Sequence, residues 1–184
     1  MKEYNFCVNV DMFNSLIGKK FNNYSHVSSL FSNIIPFGVG VKIDDVDYDV
    51  INDSKEVDYL GLYNHACVCR IFKKVKNIRL MDDYVTIEKI DKVIKAITIV
   101  NDSYKTFIDG RKQYLWEETR AVIFHFDNDQ ELSFEKEDVY FSNRIILRDG
   151  TNLIDLVADG KNILSDPKQN DTFTIVHSRE IIKL

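Results

Sequence analysis

The chain has few of the residues that interrupt or cross-link a fold: two prolines, seven glycines and three cysteines among 184 residues. Linkers between domains are usually rich in proline, glycine or serine, so this scarcity argues against two domains joined by a flexible tether. The odd number of cysteines argues against the disulfide framework of small secreted proteins. We therefore expect a compact protein with reduced thiols.

Long apolar runs and an excess of positive charge are also missing. No run is long enough to cross a membrane, and residues 1–10 contain no apolar segment typical of a secretory signal. These two absences predict a cytoplasmic protein. The formal net charge is −5, whereas nucleic-acid binding requires a cationic surface against the phosphates. We therefore expect neither a membrane nor a nucleic acid as a direct partner.

What the chain does contain is short segments of alternating apolar and polar residues. Hydrophobic residues make up 45% of the sequence and aromatic residues 12%, which is enough to build a packed core. Asp44-Asp45 and Asp109-Gly110 each separate two alternating segments, which predicts β-hairpins. Residues 11–19 and 152–158 have apolar residues at helical spacing. The sequence predicts a mainly β fold (α+β with few short helices), in which an antiparallel meander forms a small barrel or sandwich.

Two stretches of the chain resemble each other. In Val39–Tyr59 and Val122–Phe141, an apolar strand enters an acidic turn, returns as an alternating strand and passes a Lys-Glu pair. A long internal period is typical of a duplicated structural unit. The similarity predicts two related β-units, at residues 1–92 and 93–184, that pack as one body.

Acidic residues alternate with apolar ones in both stretches. The first stretch has Asp45, Asp47 and Asp49 opposed to the apolar face of Val46, Tyr48 and Val50. The same acids match ligand positions of a calcium-binding EF-hand loop, but valine stands at the sixth position, where the loop needs glycine. A strand with one buried and one solvent-exposed face explains the alternating pattern more simply. The second stretch has Asp127, Asp129 and Glu131 in a similar arrangement.

Few other motifs in the sequence could support metal binding or catalysis. His65, Cys67 and Cys69 would share one face of a strand, as zinc ligands could, but a structural zinc site needs four ligands and buried cysteines are common in cores. His125 and His177 lie on alternating strands without a motif for a catalytic partner. The sequence therefore predicts no cofactor, no metal ligands and no catalytic residues, and an enzyme is the less favoured class.

The charge pattern favours a non-enzymatic protein that binds a basic protein partner through its acidic hairpin faces. Trp116 is the candidate aromatic anchor, because exposed tryptophans contribute strongly to binding energy. Small, acidic, β-rich immunity proteins of bacterial toxin systems have this composition, which suggests an immunity or inhibitor role. The alternative is a divalent-metal-dependent hydrolase or nuclease built on the acidic hairpins. The predicted partner-binding residues are Asp45, Asp47, Asp49, Asp127, Asp129, Glu131 and Trp116.

Overall fold

A computed structural model describes residues 1–27, 34–35, 38–59, 62–73, 85–137, 144–158 and 173–184. The predicted mainly β fold is confirmed there. The strands are β1 (Lys2–Phe6), β2 (Lys20–Val27), β3 (Ile34–Ile35), β4 (Val39–Ile43), β5 (Val46–Tyr59), β6 (Leu62–Lys73), β7 (Val85–Ile108), β8 (Arg111–Phe126), β9 (Glu131–Lys136), β10 (Ile145–Gly150) and β11 (Phe173–Lys183). The same ranges contain one α-helix, α1 (Val10–Asn14), and one 3₁₀ turn (Leu153–Leu156). None of the described helices is long and apolar enough to cross a membrane.

The strands form one sheet with the hydrogen-bonded order β3-β10-β9-β8-β7-β2-β4-β5-β6. Neighbours along this path are antiparallel, and several consecutive strands are adjacent, as in the predicted meander. Beside the path, β11 pairs antiparallel with β7, and β1 pairs parallel with β8. Among the described strands the path does not close on itself, so the sheet is open.

The long strand β7 runs through the middle of this sheet and changes partner along its length. Residues 85–93 pair with β2, and residues 94–108 pair with β8. Asp91, with a φ of 52°, stands next to the change, where the register with β2 also shifts. The predicted boundary between residues 92 and 93 lies inside β7, so both predicted units contribute to one continuous sheet.

Two tight turns confirm the predicted hairpins. Asp44 and Asp45 join β4 to β5, and Asp109 and Gly110 join β7 to β8. Their φ angles are 46°, 61°, 49° and 71°, and positive φ at both central residues is the signature of the hairpin turn that matches strand twist. Glycine adopts this conformation most readily, whereas aspartate tolerates it at some conformational cost. The Asp44-Asp45 turn therefore costs conformational energy that an Asn-Gly turn would not.

We expect the double substitution Asp44→Asn and Asp45→Gly to raise the free energy of unfolding by about 0.5–1 kcal/mol. The asparagine introduced by Asp44→Asn would keep the side-chain oxygen that accepts the Lys20 backbone N–H at 2.9 Å. Urea denaturation would measure the change. Asp127→Asn is the matched control, because it removes a carboxylate where φ is not positive. If the double variant is no more stable than this control, the positive φ angles at Asp44 and Asp45 do not cost the protein conformational energy.

The core lies on both faces of the β7–β8–β9 region. On one face, Ile97, Val122 and Phe124 pack with buried residues of α1, β2, β4 and β5. On the other face, Val100 and Ile123 pack beneath the 3₁₀ turn. The side chains of adjacent residues on these strands therefore enter different clusters, as the two-residue period of a strand requires.

Three segments differ from their predictions. The strand β2 was not predicted, because a bulge between Phe21 and Asn23 places the buried residues Phe21 and Tyr24 three positions apart and hides the alternation. The helix predicted over residues 152–158 is only the 3₁₀ turn, which follows Asn152 (φ 55°) and ends where Val157 becomes extended, with a ψ of 115°. The helix predicted over residues 11–19 ends at Asn14 and is capped by Asn9, whose side chain accepts the Met12 N–H.

Candidate functional site

Four of the seven predicted binding residues are exposed: Asp45, Asp47, Asp127 and Asp129. The other three are buried or mostly buried. Asp49 is 7% exposed on β5, which lies between β4 and β6. Glu131 is half-buried and holds two hydrogen-bonded partners. Alternation alone places all three aspartates of the first stretch on a solvent-exposed face, but only Asp45 and Asp47 are exposed in the structure.

Trp116 is also in the interior, only 4% exposed. Its indole N–H donates to Glu118 Oε2 at 3.0 Å, and its ring packs against Phe6 with 5.0 Å between centroids. Val57 and Tyr104 belong to the same cluster. Trp116 is therefore a core residue in this conformation and is out of reach of a partner at the surface.

The strand ends that precede the two acidic turns both lie near residues 92–94 of β7. Ile43, which precedes the first turn, pairs with Phe21, and Phe126, which precedes the second turn, pairs with Ile94. The Phe21 and Phe126 rings are in edge-to-face contact with 5.5 Å between centroids. This contact therefore links the strand ends that precede the turns at residues 44–45 and 127–130. We call the exposed residues Asp44, Asp45, Asp127 and Asp129 the acidic end.

Lysines moderate the charge around the acidic end. Lys20 forms an ion pair with Asp91 at 2.9 Å, and Lys42 lies 3.8 Å from Asp47. Both pairs are largely exposed, and such pairs contribute little to stability. Asp47 is thus partly neutralised. Within the described ranges, Asp45, Asp127 and Asp129 have no ion-pair partner, so they are the carboxylates available to a cationic ligand.

A cleft of about 550 Å³ opens behind the second acidic turn. It is lined by Asp129 and Glu131 from the hairpin, by Thr98 and His125 from β7 and β8, and by Asn152 and Lys183 from the 3₁₀ region and β11. A volume of this size is typical of sites for small molecules. The acidic end and this cleft share the β8–β9 hairpin.

Three polar side chains in the cleft form a continuous hydrogen-bonded chain. Thr98 Oγ1 lies 2.8 Å from His125 Nε2, and His125 Nδ1 lies 3.0 Å from Glu131 Oε1. The second carboxylate oxygen, Glu131 Oε2, accepts the Leu153 backbone N–H at 2.6 Å. Because a carboxylate only accepts hydrogen bonds, a neutral His125 carries its proton on Nδ1. Nε2 then presents its lone pair to the Thr98 hydroxyl.

Strand register explains how the sequence assembles this chain. His125 is directly opposite Glu131 across the β8–β9 hairpin, and Ala96 on β7 is directly opposite His125. Thr98 is therefore a diagonal neighbour of His125, a distance that long and polar side chains bridge. His125 was a candidate in the sequence, but Thr98 was not. The predicted hairpin around residues 127–130 already implies the His125–Glu131 pair, which is the signal that could have revealed it.

A second cluster consists of charges that are almost completely buried: Asp102, Glu118, Arg120, Glu135 and Lys136. Arg179 donates from Nε and Nη2 to the two oxygens of Asp102, at 2.7 and 2.9 Å. Lys136 Nζ donates to Glu118, and Arg148 Nε donates to Glu135 at 3.0 Å. Cations and carboxylates alternate through this cluster, so it links β7, β8, β9, β10 and β11 by ion pairs.

Burial changes proton affinity in and near the buried cluster. It raises the pKa of the Glu135 carboxyl, and the Ser133 hydroxyl and Arg148 oppose that shift. Burial is also the main cause of the raised pKa of Tyr104, followed by the charges of Glu118 and Asp102. The Cys7 thiol, half-buried and free, has its pKa raised to about 11 by burial. Cys7 is therefore a protonated, weakly nucleophilic thiol at neutral pH.

Metal binding finds little support in the described ranges. No group of three or more potential ligands comes together there. The segment that matches an EF-hand loop forms most of the continuous strand β5, which excludes the turn geometry of such a loop. His65, Cys67 and Cys69 alternate on the backbone of β6, but their side chains lie outside the described part of the structure.

Comparison of the chain with protein-family models, with curated proteins and with solved structures found no match.

Proposed function

We propose that the protein binds a basic protein partner through the acidic end, and that this binding role involves no catalysis. The observation that supports this proposal most directly is the contact between the Phe21 and Phe126 rings, which links the strand ends that precede two separate acidic turns. The proposed set is narrower than the sequence-based one. It keeps Asp45, Asp127 and Asp129 and adds Asp44. It leaves out Asp47, which lies beside Lys42, and the largely buried residues Asp49, Glu131 and Trp116.

A cationic groove is the kind of surface that this end would fit. Grooves that bind nucleic-acid phosphates concentrate Lys and Arg, and a cluster of carboxylates on tight turns can enter such a groove. Opposite charges on the two proteins would increase the association rate at low salt. An inhibitor or immunity protein for a nucleic-acid-binding toxin would use this chemistry, and we extend the proposal to that role in the cytoplasm.

Charge reversal at the acidic end tests the proposal. We expect the triple variant Asp45→Lys, Asp127→Lys and Asp129→Lys to bind the partner at least about 10-fold more weakly, because each reversal replaces an attraction with a repulsion. The partner would be a basic protein recovered on immobilised wild-type protein from cells of the source organism. Its affinity would then be measured by calorimetry at two salt concentrations.

The matched control is the triple variant Glu3→Lys, Glu88→Lys and Glu180→Lys, which changes the net charge equally at three other exposed positions. This control should bind within about 2-fold of the wild type, since charge outside the interface acts only at long range and is screened. Equal losses in both variants would show that net charge, and not the acidic end, governs binding. The stabilised Asp44→Asn, Asp45→Gly variant separates binding from folding, because it removes two carboxylates from a more stable protein.

The alternative of a divalent-metal-dependent hydrolase or nuclease has no observation in the described ranges that favours it. It needs at least two convergent carboxylates in a cleft. Asp129 and Glu131 both line the cleft, but Glu131 is already engaged by His125 and the Leu153 N–H. The exposed aspartates of the acidic end lie on turns. We therefore do not extend the proposal to a metal-dependent activity.

A further inference from the structure

We propose that Thr98, His125 and Glu131 form a catalytic site that hydrolyses small carboxylic esters in the cleft behind the second acidic turn. The proposal is independent of the binding role, because it uses the interior of the cleft and not the exposed aspartates. It depends on the hydrogen-bonded chain of three side chains and on the cavity into which that chain faces.

The three side chains meet the geometric requirements of a nucleophile, a general base and an orienting acid. A base must lie within about 2.6–3.2 Å of the hydroxyl that it deprotonates. Thr98 Oγ1 is 2.8 Å from His125 Nε2, and His125 Nδ1 is 3.0 Å from Glu131. Glu131 is itself held by the Leu153 N–H at 2.6 Å. The Glu131 carboxylate therefore orients the His125 ring so that Nε2 faces Thr98. The same carboxylate would stabilise the His125 ring once the ring has taken up a proton.

The reaction would proceed in two steps. In the first, Thr98 Oγ1 forms a bond to the carbonyl carbon of the ester while its proton moves to His125 Nε2. The bond to the alcohol then breaks, and the alcohol leaves with that proton. In the second, water attacks the acyl-Thr98 ester and gives a proton to Nε2. The carboxylic acid is released, and the proton returns to Thr98 Oγ1.

The negative charge on the carbonyl oxygen needs a partner, and Lys183 is placed to supply it. Lys183 on β11 is directly opposite Thr98 on β7, so both side chains project from the same face of the sheet. Lys183 is exposed and lines the cleft. An ammonium group beside the reacting carbon would stabilise the tetrahedral intermediate. Thr98, His125, Glu131 and Lys183 thus come from four neighbouring strands.

The substrate class follows from the size and chemistry of the cleft. About 550 Å³ accommodates a small acyl group and its alcohol. A threonine hydroxyl is more hindered than that of a serine, which favours short acyl chains. An ester is preferred to an amide because its alcohol leaves more readily from the intermediate.

The experiment follows hydrolysis of p-nitrophenyl acetate by the full-length protein and identifies the acetylated residue by peptide mass spectrometry. We expect turnover above the buffer rate and acetylation of Thr98. Thr98→Val, which keeps the shape and removes the hydroxyl, should lower the rate about 100-fold or more, and His125→Gln should lower it similarly. Thr98→Ser should retain activity, because it keeps the nucleophile.

Thr106→Val is the matched control, because Thr106 is another buried threonine of β7 outside the cleft. It should turn over the ester at the wild-type rate, and circular dichroism would confirm the fold of each variant. Three results would overturn the proposal: a wild-type rate equal to buffer, acetylation at a different residue, or a Thr98→Val rate equal to wild type. The last would show that hydrolysis does not use the Thr98 hydroxyl. The acetylation map decides the question even if Thr98→Val does not fold.

Discussion

Asp102→Ala is expected to lower the free energy of unfolding by about 3–5 kcal/mol, the range typical of removing one partner from a buried ion pair. Asp102 is completely buried, and its two carboxylate oxygens accept hydrogen bonds from Arg179 Nε and Nη2. Its carboxylate also lies 3.1 Å from His177 Nε2 and 3.8 Å from Arg120 Nε. Without this carboxylate, several cationic or polar groups would remain together in the interior with less compensation. Urea denaturation would measure the loss.

The same substitution should weaken the attachment of β11 to β7. Arg179 also donates to the Val157 and Ala158 carbonyl oxygens, so it joins β7, β11 and the segment after the 3₁₀ turn. Asp149→Ala, at an exposed aspartate, is the control and should change stability by no more than about 0.5 kcal/mol. The double variant Asp102→Ala, Arg179→Ala should cost less than the sum of the single variants, because the two side chains are coupled. An additive result would show that Asp102 acts through its other neighbours.

The parts of the fold that are predictable from sequence are those determined by neighbouring residues. Asp44-Asp45 and Asp109-Gly110 both form the predicted turns, because short acidic residues and glycine tolerate positive φ. The bulged strand β2 escapes this kind of prediction, since its pairing with β4 and β7 decides its conformation. In β11, His177, Ser178 and Arg179 interrupt the apolar pattern and suggest two strands, but the structure has one continuous strand.

The buried charges were not predictable for a related reason. An alternating pattern predicts that a charged residue in a strand lies on the solvent-exposed face. Whether this prediction is correct depends on where the fold places a residue of opposite charge. Arg179 and Asp102 are 77 residues apart and meet only because β11 pairs with β7. Glu131 shows that alternation can also fail to predict exposure when the interacting residues are close in sequence. It belongs to a predicted acidic face, yet in the structure it lies opposite His125 and forms part of the cleft.

The second large effect is expected for Phe124→Ala, which should lower the free energy of unfolding by about 3–5 kcal/mol through lost burial and the cavity left behind. Phe124 is almost completely buried, and its ring centroid lies 5.3 Å from that of Phe21, 6.3 Å from Phe13 and 5.9 Å from Phe134. These rings come from β2, α1 and β9. Phe124 therefore stands where the helix and the first half of the sheet pack against the second half.

Two variants show whether that position is responsible for the effect. Phe124→Leu keeps most of the volume and should cost clearly less than Phe124→Ala, whereas Ile87→Ala removes an exposed apolar side chain and should cost no more than about 0.5 kcal/mol. Urea denaturation followed by tyrosine and tryptophan fluorescence would compare the three. A loss for Phe124→Ala as small as that for Ile87→Ala would mean that the aromatic cluster does not hold the two halves together. The acidic end would then lose its support, because the Phe21–Phe126 contact that links the strands before its two turns belongs to this same cluster.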